Sequence, residues 1–163
     1  MEGAASSRRD RKAQVKRLLL IALLFLTAAG LTGDKKESPE QQASVIEELK
    51  QKVARDSERD LCIDAAELVR VLVEQFDAQM NASKLEPAQQ TLTDIGTYAD
   101  KARDGAKNTH HKLKQAELTL HKASRRLADI AQSSAVENRP AIMAIVKRIE
   151  AADDEILDQM FKH

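Results

Sequence analysis

Residues 85–130, LEPAQQTLTDIGTYADKARDGAKNTHHKLKQAELTLHKASRRLADI, carry the pattern that decides the fold. Leu85, Ala88, Leu92, Ile95, Ala99, Ala102, Ala106, Thr109, Leu113, Ala116, Leu120, Ala123, Leu127 and Ile130 follow one another at alternating spacings of three and four. A helix turns once per 3.6 residues, so these positions share one face and make a heptad seam for neighbouring helices. The large members, Leu85, Leu92, Ile95, Leu113, Leu120, Leu127 and Ile130, are the expected core.

Three prolines punctuate the chain around this seam. Pro39 follows Ser38, Pro87 follows Ser83, and Pro140 follows Asn138. Proline is tolerated in the first helical turn, and Ser or Asn supplies a cap. Ser38 with Gln41 and Ser83 with Glu86 have capping-box spacing. The reading is all-α, with helices at about 39–80, 84–133 and 138–161 in one domain, 39–163. Ile46, Leu49, Val53, Leu61, Ala65, Leu68, Leu72, Phe76 and Met80 mark the apolar face of the first helix, and Ile142, Ile145, Ile149, Ile156 and Met160 that of the last. The first pattern weakens between Val53 and Leu61, so a break near Asp56 would give four helices.

Short connections make successive helices antiparallel neighbours. The expected architecture is an elongated three-helix bundle, or long helical hairpin, with coiled-coil packing. A 50-residue middle helix would be about 75 Å long. The alanines in the middle of its seam would leave a thin hairpin tip with little buried area at roughly 25 cal/mol per Å², which points to a protein partner or a homo-oligomer.

Composition supports the helical class: 42% of residues are hydrophobic but only 2% aromatic, a bias that suits helices and disfavours strands. The missing aromatic residues also argue against nucleic-acid binding by base stacking. A single cysteine, Cys62, excludes an intrachain disulfide. Its place beside Leu61 and Ala65 marks it as a buried small thiol, with an intermolecular disulfide as the alternative.

The formal charge of zero conceals three unequal regions. Arg8, Arg9, Arg11, Lys12, Lys16 and Arg17 precede the apolar run Leu18 to Leu26, and small residues follow at Ala28, Ala29, Gly30 and Gly33. That order is the one found in an export signal, here residues 1–33, with 34–38 as a linker. From Leu18 to Leu31 a helix would span about 21 Å against a hydrocarbon core of about 30 Å, which favours cleavage over an uncleaved inner-membrane anchor. The expected location is periplasmic or extracellular, with membrane contact only through this segment if it is retained.

After residue 33 there are 20 basic and 24 acidic side chains. Within that acidic chain, Lys101, Lys107, Lys112, Lys114, Lys122, Arg125 and Arg126 concentrate positive charge on the middle helix, opposite an acidic 34–77 segment. These residues are the candidate interaction face, for an anionic membrane or cell-wall polymer. The plainer reading is that they are solvated flanks of the bundle whose charges help set helix register.

No nucleophile elbow, Walker loop, dinucleotide fingerprint or zinc-protease motif occurs. His110, His111 and His121 lack the i,i+3 or i,i+4 spacing that would make them a histidine ligand pair. The expectation is therefore no catalytic residues, no metal and no cofactor.

Four stretches carry a resemblance: Cys62-Ile63-Asp64-Ala65-Ala66-Glu67-Leu68-Val69, Tyr98-Ala99-Asp100-Lys101-Ala102, Lys112-Leu113-Lys114-Gln115-Ala116-Glu117 and Arg126-Leu127-Ala128-Asp129-Ile130. From Leu61 onward the chain resembles exported bacterial helical proteins with no established activity. That resemblance implies export and helicity and supplies no site residues. The functional expectation is an exported, non-enzymatic helical interaction or scaffold protein of the cell envelope acting through helix–helix contacts. The alternative is a peripheral binder of an anionic surface through the basic face.

Overall fold

The computed structural model describes residues 39–55 and 59–162. The expected export segment, the linker and the Ser38 cap lie outside the described residues. Among the described residues there are five helices and no strand: α1 (Pro39–Arg55), α2 (Leu61–Asn81), α3 (Leu85–Ala106), α4 (Leu113–Ser133) and α5 (Arg139–Phe161). None of them is long and apolar enough to cross a membrane.

The all-α bundle is as expected, and the first helix does break near Asp56. The continuous middle helix is not present. It ends at Ala106 and restarts at Leu113, and the two pieces scarcely meet. Instead α2 packs on α3, α4 on α5, α2 on α4 and α3 on α5, with α1 laid against α2. The core is thus two antiparallel hairpins, α2–α3 and α4–α5, placed side by side as a four-helix bundle.

Contacts between the hairpins show their relative direction. Arg126 Nη2 of α4 lies 2.6 Å from Asp77 Oδ2 of α2, while His111, just before α4, bonds Asp60, just before α2. On the other side Arg148 of α5 bonds Asp100 of α3 through Nε at 2.9 Å. So α2 runs parallel to α4, and α3 parallel to α5. The last helix packs on α3 and α4.

Local chemistry explains the break. At 107–112 the Thr109 hydroxyl accepts the His111 backbone N–H at 3.0 Å, a turn that competes with the helical ladder. Lys112 then takes a left-handed backbone (φ 58°) and starts α4. His111 Nδ1 to Asp60 Oδ1, at 3.0 Å, ties this turn to the start of α2.

Breaking the long helix brings four apolar stripes around one centre. Of the expected seam, Leu92, Ile95, Leu113, Leu120, Leu127 and Ile130 are buried, as are Ala99, Ala102 and Ala106. Leu85 is the exception at 54% exposed. It is the first residue of α3, where side chains lean back past the helix end, and the buried register begins at Ala88. Four helices share this core, so the thin two-helix tip expected of a continuous middle helix is not found among the described residues. Cys62 is fully buried and its thiol is pushed up to about 12 by burial, as an inert packing group requires.

The α2–α3 turn also departs from the capping-box expectation. Ser83 has φ 57°, its N–H bonds Met80 O, and Lys84 N–H bonds Gln79 O, which is a Schellman closure of α2. Lys84, without a side-chain cap bond, precedes α3. At α5, Asn138 is the N-cap residue and proline sits in the first turn, though the Asn138 side chain makes no cap bond.

Candidate functional site

The broken middle helix divides the expected basic face. Lys101 lies on α3, its ammonium 5.1 Å from the centre of the Tyr98 ring. Lys107 is paired with Asp104 at 2.9 Å and Lys112 stands 3.9 Å from Asp60. Arg126 is engaged with Asp77, on the flank of α4 that meets α2. Lys101 and Lys107 thus lie on or just after α3, and Lys107, Lys112 and Arg126 each face a carboxylate.

Lys114, Lys122 and Arg125 do share a surface. At spacings of eight and three they fall on the outer face of α4, opposite the buried line Ala116, Leu120, Ala123 and Leu127. All three are exposed and make no ion pair among the described residues. Leu118, 45% exposed, stands between Lys114 and Lys122 on the same stripe. Asp129, one turn beyond Arg125, ends the positive run.

The inner flank of α4, facing α5, holds a different group. Glu117 and His121 are four residues apart and so project from the same side of α4. Asp153 of α5 meets them there. One donor atom from each of the three residues lies within 4.8 Å of the other two, and His121 Nδ1 is 3.3 Å from Asp153 Oδ2. The Asp153 side chain is only 13% exposed, while that of His121 is 50% exposed. Asp153 Oδ1 is buried and has no hydrogen-bond partner among the described residues. These are the side chains able to hold a cation.

Burial and the neighbouring Glu117 and Asp154 charges push the Asp153 carboxyl from 3.8 to about 6, against the pull of His121. The folded chain then binds this proton more readily than the unfolded chain does. The favourable contribution is present below about pH 4 and is lost as pH rises through about 6. In metal-free buffer, Asp153→Asn should therefore be more stable than the parent above pH 7, by about 1–2 kcal/mol after allowing for partial solvation. Urea unfolding of both chains at pH 4.5 and 7.5 checks this, and the advantage should shrink at the lower pH.

Reading histidines only against one another missed this group. The signal in the sequence was the Glu117–His121 pair at i,i+4; Asp153 reaches it only through the α4–α5 hairpin. The remaining histidines make no comparable cluster among the described residues. Compared with protein families, curated proteins and solved structures, the chain matches none.

Proposed function

We propose that the chain is an exported, non-enzymatic helical interaction protein of the cell envelope that works by helix–helix contact on the outer face of α4. The observation that carries this reading is the Lys114, Leu118, Lys122 and Arg125 stripe, in which an exposed leucine is bracketed by cations without ion-pair partners. An apolar contact flanked by charges is the pattern by which helices choose partners. The matching partner is an amphipathic helix with acidic flanks.

The second reading, a binder of anionic membrane or cell-wall polymer, uses the same three cations. Each basic residue near an anionic surface contributes about 1 kcal/mol, so three supply only about 3 kcal/mol, and the other expected cations lie on α3 or face a carboxylate. That total is small for an independent membrane site.

A photo-crosslinking residue at position 118 of the full chain, expressed in its native host, tests the choice. A discrete crosslinked protein that persists at high salt, and is missing with the crosslinker at exposed Thr97 on α3, is the expected result. Absence of that product, together with salt-sensitive co-sedimentation with anionic vesicles lost in Lys122→Glu, would favour the second reading.

A further inference from the structure

We propose that Glu117, His121 and Asp153 bind one divalent first-row transition ion of the Zn2+ class, which clamps α4 to α5. The group differs from the outer α4 stripe in position and chemistry, and the two readings stand or fall separately. Two ligands come from successive turns of one helix and the third from its antiparallel neighbour. This is the usual way a bundle builds a metal site between facing helices.

Three observations support the ion. First, the spacing suits coordination. Bonds of 2.0–2.1 Å to a tetrahedral ion place adjacent donors roughly 3.3–3.4 Å apart; His121 Nδ1 is 3.3 Å from Asp153 Oδ2, and a Glu117 oxygen lies within 4.8 Å of both residues' donors. Second, Asp153 Oδ1 is buried without a hydrogen-bond partner among the described residues, so an acceptor lone pair is left over at this position. Third, the charges close: two carboxylates and a neutral imidazole carry −2, which one divalent ion cancels. No lysine or arginine forms an ion pair with Glu117 or Asp153 among the described residues.

Ligand type narrows the ion. An imidazole with two carboxylates suits Zn2+ and its first-row neighbours, whereas Mg2+ and Ca2+ prefer all-oxygen shells, and no thiolate is present to select Cu(I). The half-exposed His121 leaves an approach from solvent and room for a water as fourth ligand.

The test uses the full chain stripped with EDTA and titrated with ZnCl2 by calorimetry, and with CoCl2 by visible absorption. The proposal expects one Zn2+ per chain, Co2+ bands of the intensity given by four- or five-coordinate sites, and a higher melting temperature with Zn2+. His121→Ala, at an exposed position, and the isosteric Glu117→Gln should each weaken Zn2+ binding by about 10–100-fold or more. His111→Ala should leave it unchanged, because His111 faces Asp60 instead. The proposal is overturned by the absence of saturable Zn2+ binding, or by His121→Ala binding as tightly as the parent while circular dichroism shows both folded. Loss of binding in His111→Ala alone overturns it equally.

Discussion

Leu120→Asp should abolish the cooperative unfolding transition and leave a chain with little fixed tertiary structure at room temperature. Leu120 is fully buried in the middle of α4. Removing a leucine side chain from such a site costs about 2–5 kcal/mol, and placing a carboxylate there adds a further desolvation penalty of several kcal/mol. Together these approach or exceed the 5–15 kcal/mol total stability of an ordinary domain. Leu118→Asp, two residues away on the exposed face, should shift stability by less than about 1 kcal/mol. Thermal melts followed by circular dichroism compare the two. Equal melting temperatures would show that α4 does not face inward as described.

Gly105→Ala should be the next most damaging change, although alanine is the better helix former. A Cβ at 105 would meet Cys62 N at 2.8 Å and Cys62 Cα at 3.2 Å, which are backbone atoms at the start of α2. Backbone cannot swing aside, so the end of α3 must move away from α2. The net loss should be about 2–3 kcal/mol after the roughly 1 kcal/mol propensity gain, lowering Tm by roughly 10 °C. Gly96→Ala provides the contrast. Its Cβ would meet Arg148 Nη1 at 2.8 Å and Ile145 Cδ1 at 3.0 Å, both ends of side chains. Displacing the Arg148 tip offsets the propensity gain, so the change should stay within about 1 kcal/mol of neutral. A Gly105→Ala chain as stable as the parent would contradict the close α2–α3 approach.

These positions also show how far the sequence could be read. The Leu92 to Ile130 seam correctly marks what is buried, because apolar periodicity reports the inward face whatever the helix does next. It could not report the break at 107–112, since Ala106 and Leu113 are seven residues apart and the turn therefore preserves the heptad phase. Proline, the usual punctuation, is missing there. The turn is made by Thr109, whose hydroxyl holds the His111 N–H, and by a left-handed Lys112. Neither residue type demands such a conformation.

Charge was legible in the same partial way. Opposite charges do meet between helices, as Arg126 with Asp77, Arg148 with Asp100 and Lys50 with Asp94 at 3.0 Å. Exposed pairs of this kind are worth about 0–1 kcal/mol each, so they select register more than they stabilise the bundle. Their assignment to particular partners depended on the topology. The same holds for the site: Glu117 and His121 form a pair on one helix in the sequence itself, whereas Asp153, 32 residues beyond His121, joins them only because α5 folds back on α4.

The four-helix arrangement requires α4 to return beside α2, and one crosslink tests that most directly. Asp77→Cys with Arg126→Cys in the full chain should be joined by a short bis-maleimide into an intrachain product, with buried Cys62 inert until the protein unfolds. In a continuous helix from the α2–α3 turn, residue 126 would lie about 60 Å from residue 77. Efficient intrachain crosslinking is the predicted result; a double-cysteine chain that links only between molecules, or not at all, would contradict the four-helix arrangement.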